Sequence, residues 1–95
     1  MKRLSPIHPG EILREEFAEP LGLDAAALTV RVATDAREIE ALLSETAPIT
    51  ARLAHRLARI FGTTPAFWMN LQSRYDLARA EDEGEPSAEV VPLSA

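Results

Sequence analysis

The chain is 95 residues long, 46% hydrophobic and 26% charged, which suits one small soluble domain and argues against a second. It has no cysteine, excluding disulfide staples and thiolate metal sites, and no apolar run near the roughly 20 residues of a membrane helix. The formal charge of −5 is unevenly placed: residues 1–79 hold ten basic and ten acidic side chains, whereas 80–95 add five acids and no base.

Pro9 suits a first helical turn, and Ile12, Leu13 and Phe17 form an apolar face that stops before Pro20 and Gly22, predicting a first helix. Asp24 reads as the N-cap of a short second helix running through Ala25, Ala27 and Leu28 to Val32. A third begins near Thr34 or Asp35, where Asp35 followed by Glu38 resembles a capping box. It buries Ile39, Leu42 and Leu43 and has ended by Ala47-Pro48. Thr50 caps a fourth helix, with Leu53, Leu57 and Ile60 at i, i+4 and i+7 and Gly62 at its end. Thr64-Pro65 opens the fifth and longest, whose Phe67, Trp68, Leu71, Tyr75 and Ala78 fall within about a 100° arc. No alternating strand pattern occurs before Val90 and Val91, so the expected fold is all-α, a compact five-helix bundle over 1–79. The acidic segment 80–95, with Gly and Pro, is expected to be a flexible tail.

The tight connection between the second and third helices suggests a helix-turn-helix over roughly 24–32 and 35–44, the second member lying in a DNA major groove. With Ile39, Leu42 and Leu43 inward, Arg37, Glu40, Ala41 and Ser44 form the outer face, joined at its start by Thr34 and Glu38. Arg52, in the first turn of helix four, is the best phosphate candidate and Arg31, near the turn, the next. Periodicity alone leaves open whether this is a DNA-binding unit or the loop of any three-helix cluster. Arg52, His55, Arg56 and Arg59 form a stripe that is either a solvated face or a contact for phosphate or an acidic partner, and Lys2 and Arg3 form a small basic arm. Residues 49–79 carry five basic and one acidic side chain against five and nine in 1–48, so a basic surface leans on the second half.

Other chemistry is sparse. His8 and His55 are the only histidines and lack metal-ligand spacing, and His8 beside Pro9 reads as structural. Glu15 and Glu16 diverge by about 100° on a helix, too far for an acid/base pair. There is no Gly-rich phosphate loop and no nucleophile elbow, so neither an enzyme nor a cofactor is expected. Phe67, Trp68, Leu71 and Tyr75 read as core and dimer seam rather than a ligand cage. Val30 projects outward from helix two.

The runs HPGEILREEFAEPLGL (8–23) and ITARLAHRLARIFGTTPAFWMNLQSRYDL (49–77), with their spacing, resemble the HigA family of antitoxins over about four fifths of the chain. That resemblance implies a lambda-repressor-like helix-turn-helix protein of the XRE class. It also implies a homodimer that neutralises a RelE-like messenger-RNA-cleaving toxin and represses its own operon at a palindromic operator. The Met-Lys-Arg start, lacking the apolar stretch of a signal peptide, agrees with a cytoplasmic address.

The middle of the chain departs from the family pattern. Thr29 and Ala33 stand where relatives have Ala and Gly, and Glu45, Thr46 and Ala47 replace a Gly-Lys-Arg-like stretch. A lost Gly at a positive-φ position costs roughly 1 kcal/mol. Asp35, Glu38, Glu40 and Glu45 gather negative charge on or beside the helix that should approach phosphate. The rival expectation is therefore an interaction-only antitoxin or orphan relative that has given up operator binding.

Overall fold

A computed structural model of the chain describes residues 5–84 and 87–94. Helix α1 (Pro9–Ile12) starts at His8, whose Nδ1 accepts the Gly10 N–H at 2.8 Å. It continues as a wider π-helical stretch, Leu13–Ala18, and a 3₁₀ turn, Glu19–Leu21. Gly22 closes it in the left-handed region at φ 68°, with Leu23 N–H bonded to the Ala18 carbonyl. Helix α2 (Ala25–Val32) is capped by Asp24, α3 (Ala36–Leu43) by Asp35, α4 (Ala51–Phe61) by Thr50 and α5 (Pro65–Asp82) by Thr64. Each cap side chain accepts a first-turn backbone N–H, satisfying donors that have no partner within the helix.

All five expected helices are present, and the described residues contain no strand. The last helix runs beyond position 79 to Asp82, and a 3₁₀ turn follows at Ser87–Glu89. One detail differs at α3. Glu38 does not reach back to the Asp35 backbone to close a capping box; its carboxylate turns to Thr34 and Arg52.

Every helix contributes to one core. Leu13, Leu28, Val32, Ile39, Leu42, Leu53, Leu57 and Trp68 are each at most 1% exposed. Full burial of such an aliphatic side chain is worth about 1.5–3 kcal/mol, so their periodic placement decides the packing. Trp68 is the largest, its indole N–H donating to Thr63 Oγ1 at 2.7 Å, with Phe17 and Phe67 packed on it at centroid distances of 5.0 and 5.1 Å.

Two contacts set where α3 stands. A Cβ built on Gly10 would lie 1.9 Å from the Leu42 carbonyl oxygen, so α1 crosses α3 at a distance that admits only glycine. From the other side, buried Gln72 on α5 accepts the Ile49 N–H at 2.7 Å and donates to Asp76 at 2.9 Å, fastening the α3–α4 connection to α5.

Candidate nucleic-acid interface

Helices α2 and α3 form the helix-turn-helix, and both of its helix ends are unusual. Ala33, after α2, has φ 56°, and Glu45, beyond α3, has φ 66°. These are the left-handed positions that glycine occupies without steric cost. Each end receives an arginine from another helix. Arg56 on α4 donates Nη1 to the carbonyls of Val32 and Ala33 at 2.9 and 2.7 Å. Arg14 on the first helix donates Nη1 to the Leu43 carbonyl at 2.5 Å and pairs through Nη2 with Glu45 and Glu15, both at 3.2 Å. Hydrogen bonding to Glu45 holds the Arg14 guanidinium above its usual pKa. Cationic donors on terminal carbonyls also meet the negative end of the helix dipole.

The residues expected from the sequence to face DNA divide into two groups. Arg37, Glu40 and Ser44 are exposed on the outer face of α3, and Ala41 is half-buried between them. Thr34, Glu38 and Arg52 are instead bonded to one another. The Thr34 hydroxyl donates to Glu38 Oε1 at 2.6 Å, and Arg52 Nη2 donates to both Glu38 oxygens at 2.5 and 2.7 Å and to Thr34 Oγ1 at 3.2 Å. The Thr34 hydrogen bond first, and Arg52 second, hold the Glu38 carboxyl below its ordinary pKa. Arg31 is exposed near the end of α2, beside His55, Arg56 and Arg59 around a groove of about 590 Å³. Lys2 and Arg3 lie outside the described residues.

The acids that crowd this helix are mostly engaged within the protein. Asp35 accepts the Arg37 backbone N–H at 2.7 Å, Glu38 holds Arg52, and Glu45 holds Arg14. Of the four, only the Glu40 carboxylate has no hydrogen bond or ion pair to the described residues. The face turned outward is therefore less negative than the sequence suggests.

Among the core and dimer-seam candidates, Trp68 is core, Leu71 and Tyr75 are half-buried and Phe67 is 36% exposed. Tyr75 meets His8 edge to face at 4.7 Å. Sequence reading missed the roles of Gly10, Arg14 and Gln72 and the capping role of Arg56. Their partners lie far along the chain, and only the left-handed positions, read from absent glycines, gave any signal. No group of three or more metal-ligating side chains occurs among the described residues, and no helix there is long and apolar enough to cross a membrane.

No family model matches the chain. Among curated proteins it is 43% identical over 88 residues to virulence-associated protein I of Dichelobacter nodosus, covering 93% of this chain and 82% of that one. The structure of an addiction module antidote protein of the HigA family from Coxiella burnetii matches with a TM-score of 0.86 at 41% identity, covering 95% of this chain and 100% of the other. Pseudomonas aeruginosa antitoxin HigA, solved with the higBA promoter, matches with a TM-score of 0.85 at 42% identity, over 93% and 98% of the two chains. With this helix order, this helix-turn-helix and these relatives, the chain belongs to the HigA family of helix-turn-helix antidote proteins, which are regulators and not enzymes.

Proposed function

We propose that this protein is the antitoxin of a toxin-antitoxin pair, neutralising a RelE-like messenger-RNA-cleaving toxin and repressing its own operon. It does so as a homodimer that presents two copies of α3 to successive major grooves about 34 to 36 Å apart. The observation that carries the DNA reading is the outer face of α3. The Arg37 and Glu40 side chains have no partner among the described residues and Ser44 is exposed beside them, its hydroxyl on the Ala41 carbonyl and Thr46, while Asp35, Glu38 and Glu45 are occupied by internal partners. The promoter complex of the P. aeruginosa relative supports the same reading. Arg37 is the base-reading residue, with Ala41 and Ser44 beside it and Glu40 able to accept from cytosine N4. Arg31 is the second phosphate contact after Arg52.

The dimer seam is best supplied by α5. That helix exposes Phe67, Met69 and Leu77, and its Leu71, Tyr75 and Ala78 share an apolar groove of about 300 Å³ with Ile7 and Ile12. The acidic segment after position 80 complements a basic toxin and would speed its capture.

Anisotropy titration of the purified protein against its own promoter, with sedimentation of the complex, tests this reading. A specific complex holding two protein copies is expected, and Arg37→Ala should weaken it by about 1–3 kcal/mol while relaxing preference at the contacted base pair. If no specific binding appears at moderate salt, with toxin present or absent, operator repression is excluded and the interaction-only alternative stands.

A further inference from the structure

An arginine on a flexible stem reaches phosphates in many positions, so it strengthens specific and non-specific complexes nearly alike. Arg52 is not in that condition. Its Nη2 is held by both oxygens of Glu38 and by Thr34, and its Nε and Nη1 make no hydrogen bond to the described residues. Arg52 itself is exposed. The guanidinium is thus oriented with one edge bound and the rest of its donors open to solvent.

The anchor matters as much as the hold. Glu38 lies in the first turn of α3 and Thr34 directly precedes its cap, so the cationic group is fastened to the start of the helix that reads bases. A phosphate can take the open donors only where the backbone passes that fixed point.

We propose that Glu38 is a specificity-determining positioning residue for the operator: it touches no DNA, but by clamping Arg52 it makes a phosphate contact depend on the register of α3. The inference rests on the operator-binding reading above. Glu38 neutralises part of the charge of Arg52 and so lowers affinity for any duplex. It lowers that affinity most where the phosphate is out of place.

The test uses the full chain with a labelled operator duplex and a scrambled duplex of equal length, each titrated over a range of salt. Glu38→Gln keeps the shape but removes the charge. It should raise affinity for the scrambled duplex about three- to tenfold at low salt and steepen that salt slope by about 1, the effect of one freed cation. Operator affinity should change less than about twofold, so the operator-to-scrambled ratio falls. In an Arg52→Ala background, Glu38→Gln should leave that ratio unchanged, a result that mere loosening of α3 would not give. Thermal melting checks that both variants fold.

If the wild type separates the duplexes but Glu38→Gln leaves their ratio unaltered, or shifts it equally without Arg52, the positioning role is wrong while operator binding stands. If the wild type does not separate them, both readings fall.

Discussion

Ala33 and Glu45 show what a single backbone position costs and how neighbours offset it. Both take a left-handed conformation in which a Cβ crowds the following carbonyl, by roughly 1 kcal/mol relative to glycine. At Ala33 the side chain contributes no bond in return, whereas the Glu45 carboxylate pairs with Arg14. Ala33→Gly is therefore expected to stabilise the protein by up to about 1 kcal/mol, a rise of about 4–8 °C in Tm for a domain this size. Glu45→Gly should give a smaller gain or none, since it also removes an ion pair; urea titration of the two variants distinguishes the cases. His8 brings a pH dependence. Burial pulls its pKa below 6.5, with the charges of Glu45 and Asp76 and a backbone hydrogen bond at Ala47 opposing and Arg79 adding to the fall. Its Nδ1 must also stay unprotonated to cap Gly10. The unfolded chain thus binds the proton first. Stability is full above about 6.5, falls as pH drops through that value toward the lower folded pKa, and levels below it. His8→Asn keeps an acceptor at the cap and should flatten the Tm profile between about pH 7.5 and 5.5; an equally steep profile in the variant would place the dependence elsewhere.

At the scale of the element, α3, the proposed recognition helix, is positioned mainly by its back and its ends. Its N-terminus is capped by Asp35, its last carbonyls are taken by Arg14, and its Leu42 carbonyl lies against Gly10. The last contact is the least forgiving. Because the atom facing a new Cβ is backbone, it cannot rotate away, so Gly10→Ala has to push α1 off α3. A loss of about 3 kcal/mol is expected, at the upper end of ordinary overpacking, and urea denaturation with native-state hydrogen exchange across 36–43 would detect it. A loss below about 0.5 kcal/mol would show that the crossing relaxes easily. The helices themselves were legible in the chain because their signals are local: Asp24, Thr50 and Thr64 cap donors three residues on. Glu38 was not legible in the same way. Its spacing from Asp35 matches a capping box, yet Arg52, from a later helix, offers a full opposite charge and takes the carboxylate.

At the scale of the whole molecule, the charge of −5 first reads as a poor match for DNA, and its partition places the excess after position 79. That much is arithmetic on the chain. The remaining difficulty is the acids at positions 35, 38, 40 and 45: Asp35 is engaged locally by its own helix, but Glu38 and Glu45 find their partners only when helices distant in sequence come together. Arg14 reaches Glu45 across 31 positions and Arg52 reaches Glu38 across 14. Periodicity and caps by themselves determined the all-α class, the helix order and the core-facing side of the first four helices, because the 3.6-residue repeat and first-turn donors are properties of neighbouring residues. On α5, by contrast, the repeat put Phe67, which is 36% exposed, inward and passed over buried Gln72. Which acids are neutralised, which glycine is indispensable and which arginines remain free were decided by the tertiary structure alone. Electrostatic pairing and close packing act through space, and residues separated by tens of positions acquire those partners only when the core closes around Trp68.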